Sequence, residues 1–195
     1  MTSPILRPAL LLLLLLSLIT GVAYPLLITG VAQLLFAPAA AGSVIERAGT
    51  PVASRLIGQN FTQPQYFWGR PSATTPYPYN GTASGGSNLG PLNPALVDAV
   101  RQRLAALRAA DPDNHHSVPV DLVTASASGL DPEVSIAAIE YQIPRVARAR
   151  NMAPEALHRL AVQHFKGPLA GFLGEPRVNL VELNLALDAA SNSAR

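Results

Sequence analysis

The sequence predicts an α+β protein: one N-terminal transmembrane helix followed by a helix-rich soluble domain with a few short strands. Three observations predict it. Residues 9–36 carry no charge. Residues 93–195 hold apolar residues at helical spacing between start and stop signals. Residues 37–92 are rich in Pro, Gly, Asn and Ser with few periodic patterns, which leaves extended pieces and turns. A chain of 195 residues holds one soluble domain besides the span. The expected divisions are a short tail at 1–8, the span at 9–36 and the soluble domain at 37–195. The soluble domain divides into a loop and short-strand part, 37–92, and a mainly helical part, 93–195.

The span comes first. A bilayer core needs about 20 apolar residues in a helix, and 17 of the 28 residues from Ala9 to Phe36 are Leu, Ile, Val or Phe. At about −0.3 to −0.6 kcal/mol each, these favour insertion by about 5–10 kcal/mol, enough to offset Ser17, Pro25 and Gln33. Ala37-Pro38-Ala39 and Ala39-Ala40-Ala41 resemble signal cleavage sites. A signal's apolar region, however, is only about 7–15 residues long, so the length argues for an uncleaved anchor. Within the span, Ser17, Gly21, Pro25, Thr29 and Gln33 recur every fourth residue. Four-residue steps advance about 40° around a helix, so these five form one slanted ridge. Small and weakly polar residues let membrane helices approach closely and hydrogen-bond, which predicts a docking ridge. Charge does not fix the topology: Arg7 lies on one side, Arg47 and Arg55 with Glu46 on the other.

In residues 37–92 the aromatics Phe61, Tyr66, Phe67, Trp68, Tyr77 and Tyr79 are expected mainly in the core. Turns are expected at Pro76 and Asn80-Gly81, and Ser84 to Gly90 is a loop by composition. The first soluble helix starts at Asn93 with Pro94 at its first position and ends at Asp111-Pro112. Its apolar face carries Leu96, Val97, Val100, Leu104 and Leu107. Val118 to Val123 has strand chemistry, with Pro119 marking an edge or a strand start. Asp131-Pro132 is expected to cap the second helix, whose stripe is Ile136, Ile139, Ile143 and Val146. Pro144 should bend that helix and Asn151 should stop it in the left-handed conformation. A third helix opens at Ala153-Pro154-Glu155 and closes at Gly167-Pro168. A fourth starts at Asn179, with Glu182 at capping-box spacing.

The chemistry is sparse. Setting Arg7 aside leaves 13 basic against 12 acidic residues, so the soluble part has no electrostatic footprint for nucleic acid. Without Cys there is no thiolate nucleophile or thiolate metal site. His115 and His116 are adjacent, and His158 and His164 are six apart; neither is metal-ligand spacing on a helix. No serine lies in a G-x-S-x-G elbow. The loop Ser84 to Gly90 lacks the Lys of a phosphate loop, since Lys166 is the chain's one lysine. Asn80-Gly81-Thr82 fits a glycosylation acceptor. Arg145, Arg148 and Arg150 cluster near a helix C-terminus, where cations complement the helix dipole; such a cluster can also attract an acidic partner.

Several ordered motifs then carry a resemblance. They are Leu56-Ile57-Gly58-Gln59, Tyr66-Phe67-Trp68-Gly69-Arg70-Pro71-Ser72, Tyr79-Asn80, and Ser84-Gly85-Gly86-Ser87-Asn88-Leu89-Gly90-Pro91. Val118-Pro119, Leu130-Asp131-Pro132, Gln142-Ile143-Pro144-Arg145-Val146-Ala147 and Phe172-Leu173-Gly174-Glu175-Pro176-Arg177-Val178-Asn179 complete them. With the anchor in front, the sequence resembles the KdpC family, one of the subunit families of the Kdp-type potassium-transporting ATPase. Tyr141 and Asn151 are mild departures.

The resemblance implies a non-catalytic accessory subunit in a complex with a P-type ATPase subunit, a potassium-channel-like subunit and a small single-span subunit. That complex hydrolyses ATP, with magnesium, to import potassium, while this chain binds no cofactor stably. The family role is described as a catalytic chaperone that raises the nucleotide affinity of the ATPase partner. The resemblance also implies the bacterial inner membrane, with the soluble domain outside the cytoplasm. Its motifs nominate Gln59, Trp68, Gly69, Arg70, Ser84, Gly85, Gly86, Asn88, Gln142 and Arg145 for contact with the other subunits. The competing expectation is a membrane-anchored extracytoplasmic enzyme or structural protein. The Asp-Lys-Thr-Gly-Thr phosphorylation motif of P-type pumps is absent, so the resemblance assigns ATP hydrolysis to a partner.

Overall fold

The computed structural model describes residues 4–193. The chain forms two compact units, Met1–Val52 and Ala53–Arg195.

In the first unit, one helix runs from Leu6 to Leu35, 30 residues of high hydropathy and long enough to cross a bilayer. It comprises α1 (Leu6–Leu18), a π-helical turn (Ile19–Ala23) and α2 (Tyr24–Leu35). Pro25 explains the π turn. Proline has no N–H, and its ring collides with the carbonyl four residues back, here Gly21. Widening the preceding turn relieves that collision, and the Tyr24 N–H reaches the Ile19 carbonyl instead. A short helix α3 (Ala37–Ala40) follows. Strands β1 (Val44–Arg47) and β2 (Thr50–Ser54) then pair in a two-stranded sheet.

The second unit is a layer of helices on a small antiparallel sheet. Helix α4 (Pro94–Ala110) starts at Asn93, whose side chain accepts from the Ala95 N–H, and ends at Asp111. Val97, expected on its apolar face, is exposed, while Leu107 is buried. The segment expected as a strand at Val118–Val123 is instead a 3-10 turn, Val120–Leu122. Pro119 offers no N–H to a ladder, and the Thr124 hydroxyl donates to the Val120 carbonyl.

Asp131 does not cap a helix. Its carboxylate accepts from the Glu133 N–H at 3.0 Å and leads into β3 (Glu133–Ser135). Ser135 is the cap of α5 (Ile136–Arg150), accepting from the Ala138 N–H. Pro144 sits inside α5, and Asn151 takes the left-handed stop at φ 52°. Helix α6 (Pro154–Gln163) ends at His164, before the expected Gly167, because Phe165–Lys166 leaves it as β4. Strand β5 (Arg177–Asn179) lies between β3 and β4. Its register sets Val178 opposite both Val134 and Phe165, an apolar row under the helices. Helix α7 (Leu180–Ser193) starts at Asn179, which accepts from the Glu182 N–H. The Glu182 carboxylate pairs with Arg55 and Lys166. Ile139 and Val146 of α5, Leu157 and Ala161 of α6, and Leu183 and Leu187 of α7 form the core with Phe67 and Leu122.

Candidate functional site

Three features of the second unit are candidates: a buried polar cluster, a pair of interlocked loops and an exposed apolar hairpin tip. The buried cluster fixes residues 63–70, which have no regular structure. Gln142 on α5 accepts from the Trp68 N–H at 2.8 Å and donates to the Trp68 carbonyl at 3.1 Å. Asn184 on α7 does the same for Phe67, at 3.0 Å in both directions. Each side-chain amide thus replaces a strand partner for a backbone that has none. Arg145 donates to the carbonyls of Pro64 and Tyr66 and to Gln142 Oε1, and its guanidinium stands 4.5 Å from the Trp68 ring centroid. Arg103 of α4 stands over the same ring and donates to the Leu122 and Gly69 carbonyls. Burial pulls the Arg145 guanidinium down to about 10, still charged at neutral pH, and lowers that of Arg103.

This geometry gives Trp68, Gln142 and Arg145 a task inside the domain. They are 8%, 1% and 4% exposed, and Gly69 is buried with them. They hold the domain together from within. Arg150 and Arg148 are engaged as well: Arg150 with Asp188 and the Gln65 carbonyl, Arg148 with Asp111. Arg145 and Arg150 are thus turned inward, while the Arg148 side chain stays half exposed beside Asp111.

The second feature is the glycine-rich loop. The Gly85 N–H and the Ser84 hydroxyl both donate to the Ser128 carbonyl. A side-chain carbon at Gly86 would lie 2.9 Å from the Ala127 carbonyl oxygen, and one at Gly129, where φ is +68°, would lie 2.7 Å from the Gly85 oxygen. The glycines serve close approach of two backbones. Ser84 and Asn88 remain exposed, Gly85 and Gly86 half-buried, and Gln59 lies exposed on its own loop. Ser72 and Thr74 secure the adjoining turn: Ser72 accepts from the Tyr79 N–H and Thr74 from the Asn80 N–H. The Asn80 amide donates inward to the Thr75 carbonyl. That residue is buried, which closes it as a glycan acceptor. Tyr79 donates to the Arg70 carbonyl at 2.7 Å, and burial pushes its phenol up to about 12.

The third feature lies beside a cleft of about 550 Å³ lined by Arg70, Asp121, Asp131, Glu133, Glu175 and Arg177, among others. Arg70 pairs with Asp131 at 3.1 Å and Arg177 with Glu133 at 2.7 Å. Next to it projects the loop from Gly167 to Gly174, with Leu169, Phe172 and Leu173 exposed by 70%, 76% and 53%. In the sequence Gly167-Pro168 reads only as a helix stop. The signal that marks the loop is a run of eight residues without a polar side chain, framed by Lys166 and Glu175. In the first unit, Ser17, Gly21, Pro25, Thr29 and Gln33 are placed along the helix, with no buried residue among them. The π turn bends their slant back, since a four-residue step falls short of one turn there. Among the described residues, no group of three or more His, Cys, Asp or Glu is placed to hold a metal ion.

One apolar helix long enough to cross a bilayer, followed by a domain in which Gln142, Asn184 and Arg145 order an irregular segment, defines a class: an α+β protein with a single N-terminal membrane-spanning helix. The chain belongs to the KdpC family, described as "K+-transporting ATPase, c chain", whose family model matches residues 6–189. It is 64% identical over 187 residues to a potassium-transporting ATPase KdpC subunit of Variovorax paradoxus, covering 96% of this chain and 97% of that protein. It is 65% identical to the protein of that name from Polaromonas naphthalenivorans, covering 95% and 94%. The corresponding protein of Dechloromonas aromatica is 57% identical, covering 96% and 98%.

Proposed function

We propose that the chain is a non-catalytic accessory subunit of an ATP-driven potassium uptake complex, holding and tuning its partners through surfaces. The carrying observation is the family match over almost the whole chain, 6–189. Its partners are a P-type ATPase subunit, a potassium-channel-like subunit and a small single-span subunit of the same complex. ATP and magnesium are used by the ATPase partner, and this chain holds no cofactor of its own. The helix Leu6–Leu35 anchors it in the bacterial inner membrane, with the ridge Ser17, Gly21, Pro25, Thr29 and Gln33 as the seam for neighbouring helices. Gly21 and Pro25 leave room for close approach, and Gln33 offers hydrogen bonds. The soluble unit lies outside the cytoplasm. A role in raising nucleotide affinity then acts through the membrane helices. With Gln142 and Arg145 committed internally, they are not the groups that would touch a nucleotide.

The test is purification of the tagged full chain in mild detergent from cells induced for potassium uptake. Recovery of a P-type ATPase and a multi-span subunit in fixed ratio supports the proposal; a lone monomer under conditions that preserve membrane complexes refutes it. Protease digestion of the soluble unit in cells stripped of outer envelope tests the outside placement.

A further inference from the structure

The loop from Gly167 to Gly174 has an unusual character for the surface of a domain. All eight residues lack a polar side-chain atom, and three large ones stand out from the fold. The loop is also closed on itself. Leu169 and Leu173 exchange backbone hydrogen bonds at 2.8 and 2.9 Å, and the N–H groups of Gly171 and Phe172 donate to Pro168 and Leu169. Its backbone is therefore largely satisfied, so covering the tip adds little desolvation penalty. Apolar anchors on a preformed turn lose little conformational freedom on binding.

We infer that this tip is the knob by which the soluble unit docks into an apolar pocket on the extramembrane surface of another subunit of the same ATPase, an inference that rests on the proposed accessory role. Two observations favour a protein pocket over a lipid surface. The neighbouring cations are engaged by carboxylates, Arg177 by Glu133 and Lys166 by Glu182, which it shares with Arg55, whereas membrane-docking elements present free Lys and Arg to anionic headgroups. The adjoining cleft carries four carboxylates, Asp121, Asp131, Glu133 and Glu175, against the guanidiniums of Arg70 and Arg177. An acidic flank is repelled by anionic lipid and attracted to a Lys or Arg beside the partner's pocket. An apolar centre with a polar, charged rim is the anatomy of a protein interface.

The test places a photoreactive phenylalanine analogue at Phe172 in the full chain, within the assembled complex in its native membrane. A crosslink to one other subunit is expected. Phe172→Ser should weaken retention of that subunit at least about tenfold in a detergent challenge. The same variant leaves the melting temperature of the purified chain unchanged, because the side chain is exposed. Copurification of the ATPase with no crosslink at 172, a crosslink to lipid alone, or full retention by Phe172→Ser overturns the docking knob while the accessory role stands. Failure of the unsubstituted chain to recover any ATPase subunit overturns both.

Discussion

Residues 57–90 and residues 93–193 are ordered by different means. The second stretch is held by apolar packing of helices on a sheet, as in Ile139, Val146, Leu157, Leu183 and Leu187. The first has almost no regular secondary structure. It is held by polar side chains reaching out of the helices to its backbone, and by close contacts at glycines. A segment without ladders of its own still has its N–H and C=O groups to satisfy. Here Gln142, Asn184, Arg145 and Arg103 satisfy them. The difference teaches that motif residues with the look of a binding site can be the scaffold of a coil.

That contrast implies that losing one staple costs more than losing a helix signal. The largest effect is expected for Arg145→Ala, which removes the donor to the part-buried Pro64 and Tyr66 carbonyls, one of two donors to Gln142 Oε1 and the cation over the Trp68 ring; a loss of about 3–4 kcal/mol is expected from the unmet hydrogen bonds and the lost packing. Asn184→Ala strands both backbone groups of Phe67 and should cost about 2–3 kcal/mol. Chemical denaturation of the full chain in detergent reads both values.

Tyr79 sharpens the contrast through pH. Its phenol titrates near 10 when unfolded and at about 12 when folded. The unfolded chain therefore loses its proton first. This stabilisation is fully present below pH 10 and is lost as pH rises to about 12, a swing of about 2–3 kcal/mol. Arg145 runs the other way, since burial lowers its folded value to about 10, so its neutral form adds stability as pH rises above that value. Comparing the alkaline profile with that of Tyr79→Phe isolates the phenol: the variant should lack the decline. The smallest effect belongs to the helical region. Asn93→Ala removes the exposed cap of α4 and should cost about 1 kcal/mol.

Helix termini are legible in the sequence because caps are local chemistry: Asn93, Asn151 and Asn179 all act as expected. The three-stranded sheet is not, because strands of two or three residues are too short to show alternation. Asp131 looks like a helix cap because an Asx turn before β3 uses the same side-chain to N–H bond. The π turn follows from Pro25 and Gly21, four apart, but nothing in periodicity marks it. At the candidate site, the glycine-rich loop is visible by composition. The burial of Trp68 follows from its being aromatic, but that of Gln142 and Arg145 does not, since the backbone groups they hold lie 74 residues or more away along the chain. Phe172 stands in a sequence motif, and its exposure emerges only from the fold.

At the centre of the structure, α5 holds the irregular segment in place through Gln142. Hydrogen–deuterium exchange of the full chain, unsubstituted and carrying Gln142→Leu, tests this most directly. The leucine is close to the amide in size but neither accepts from nor donates to the Trp68 backbone. Faster exchange across residues 64–70, with protection retained along α6 and α7, is the predicted result. Unchanged protection at the Trp68 amide would contradict the stapling role, as would an equal loss throughout the domain.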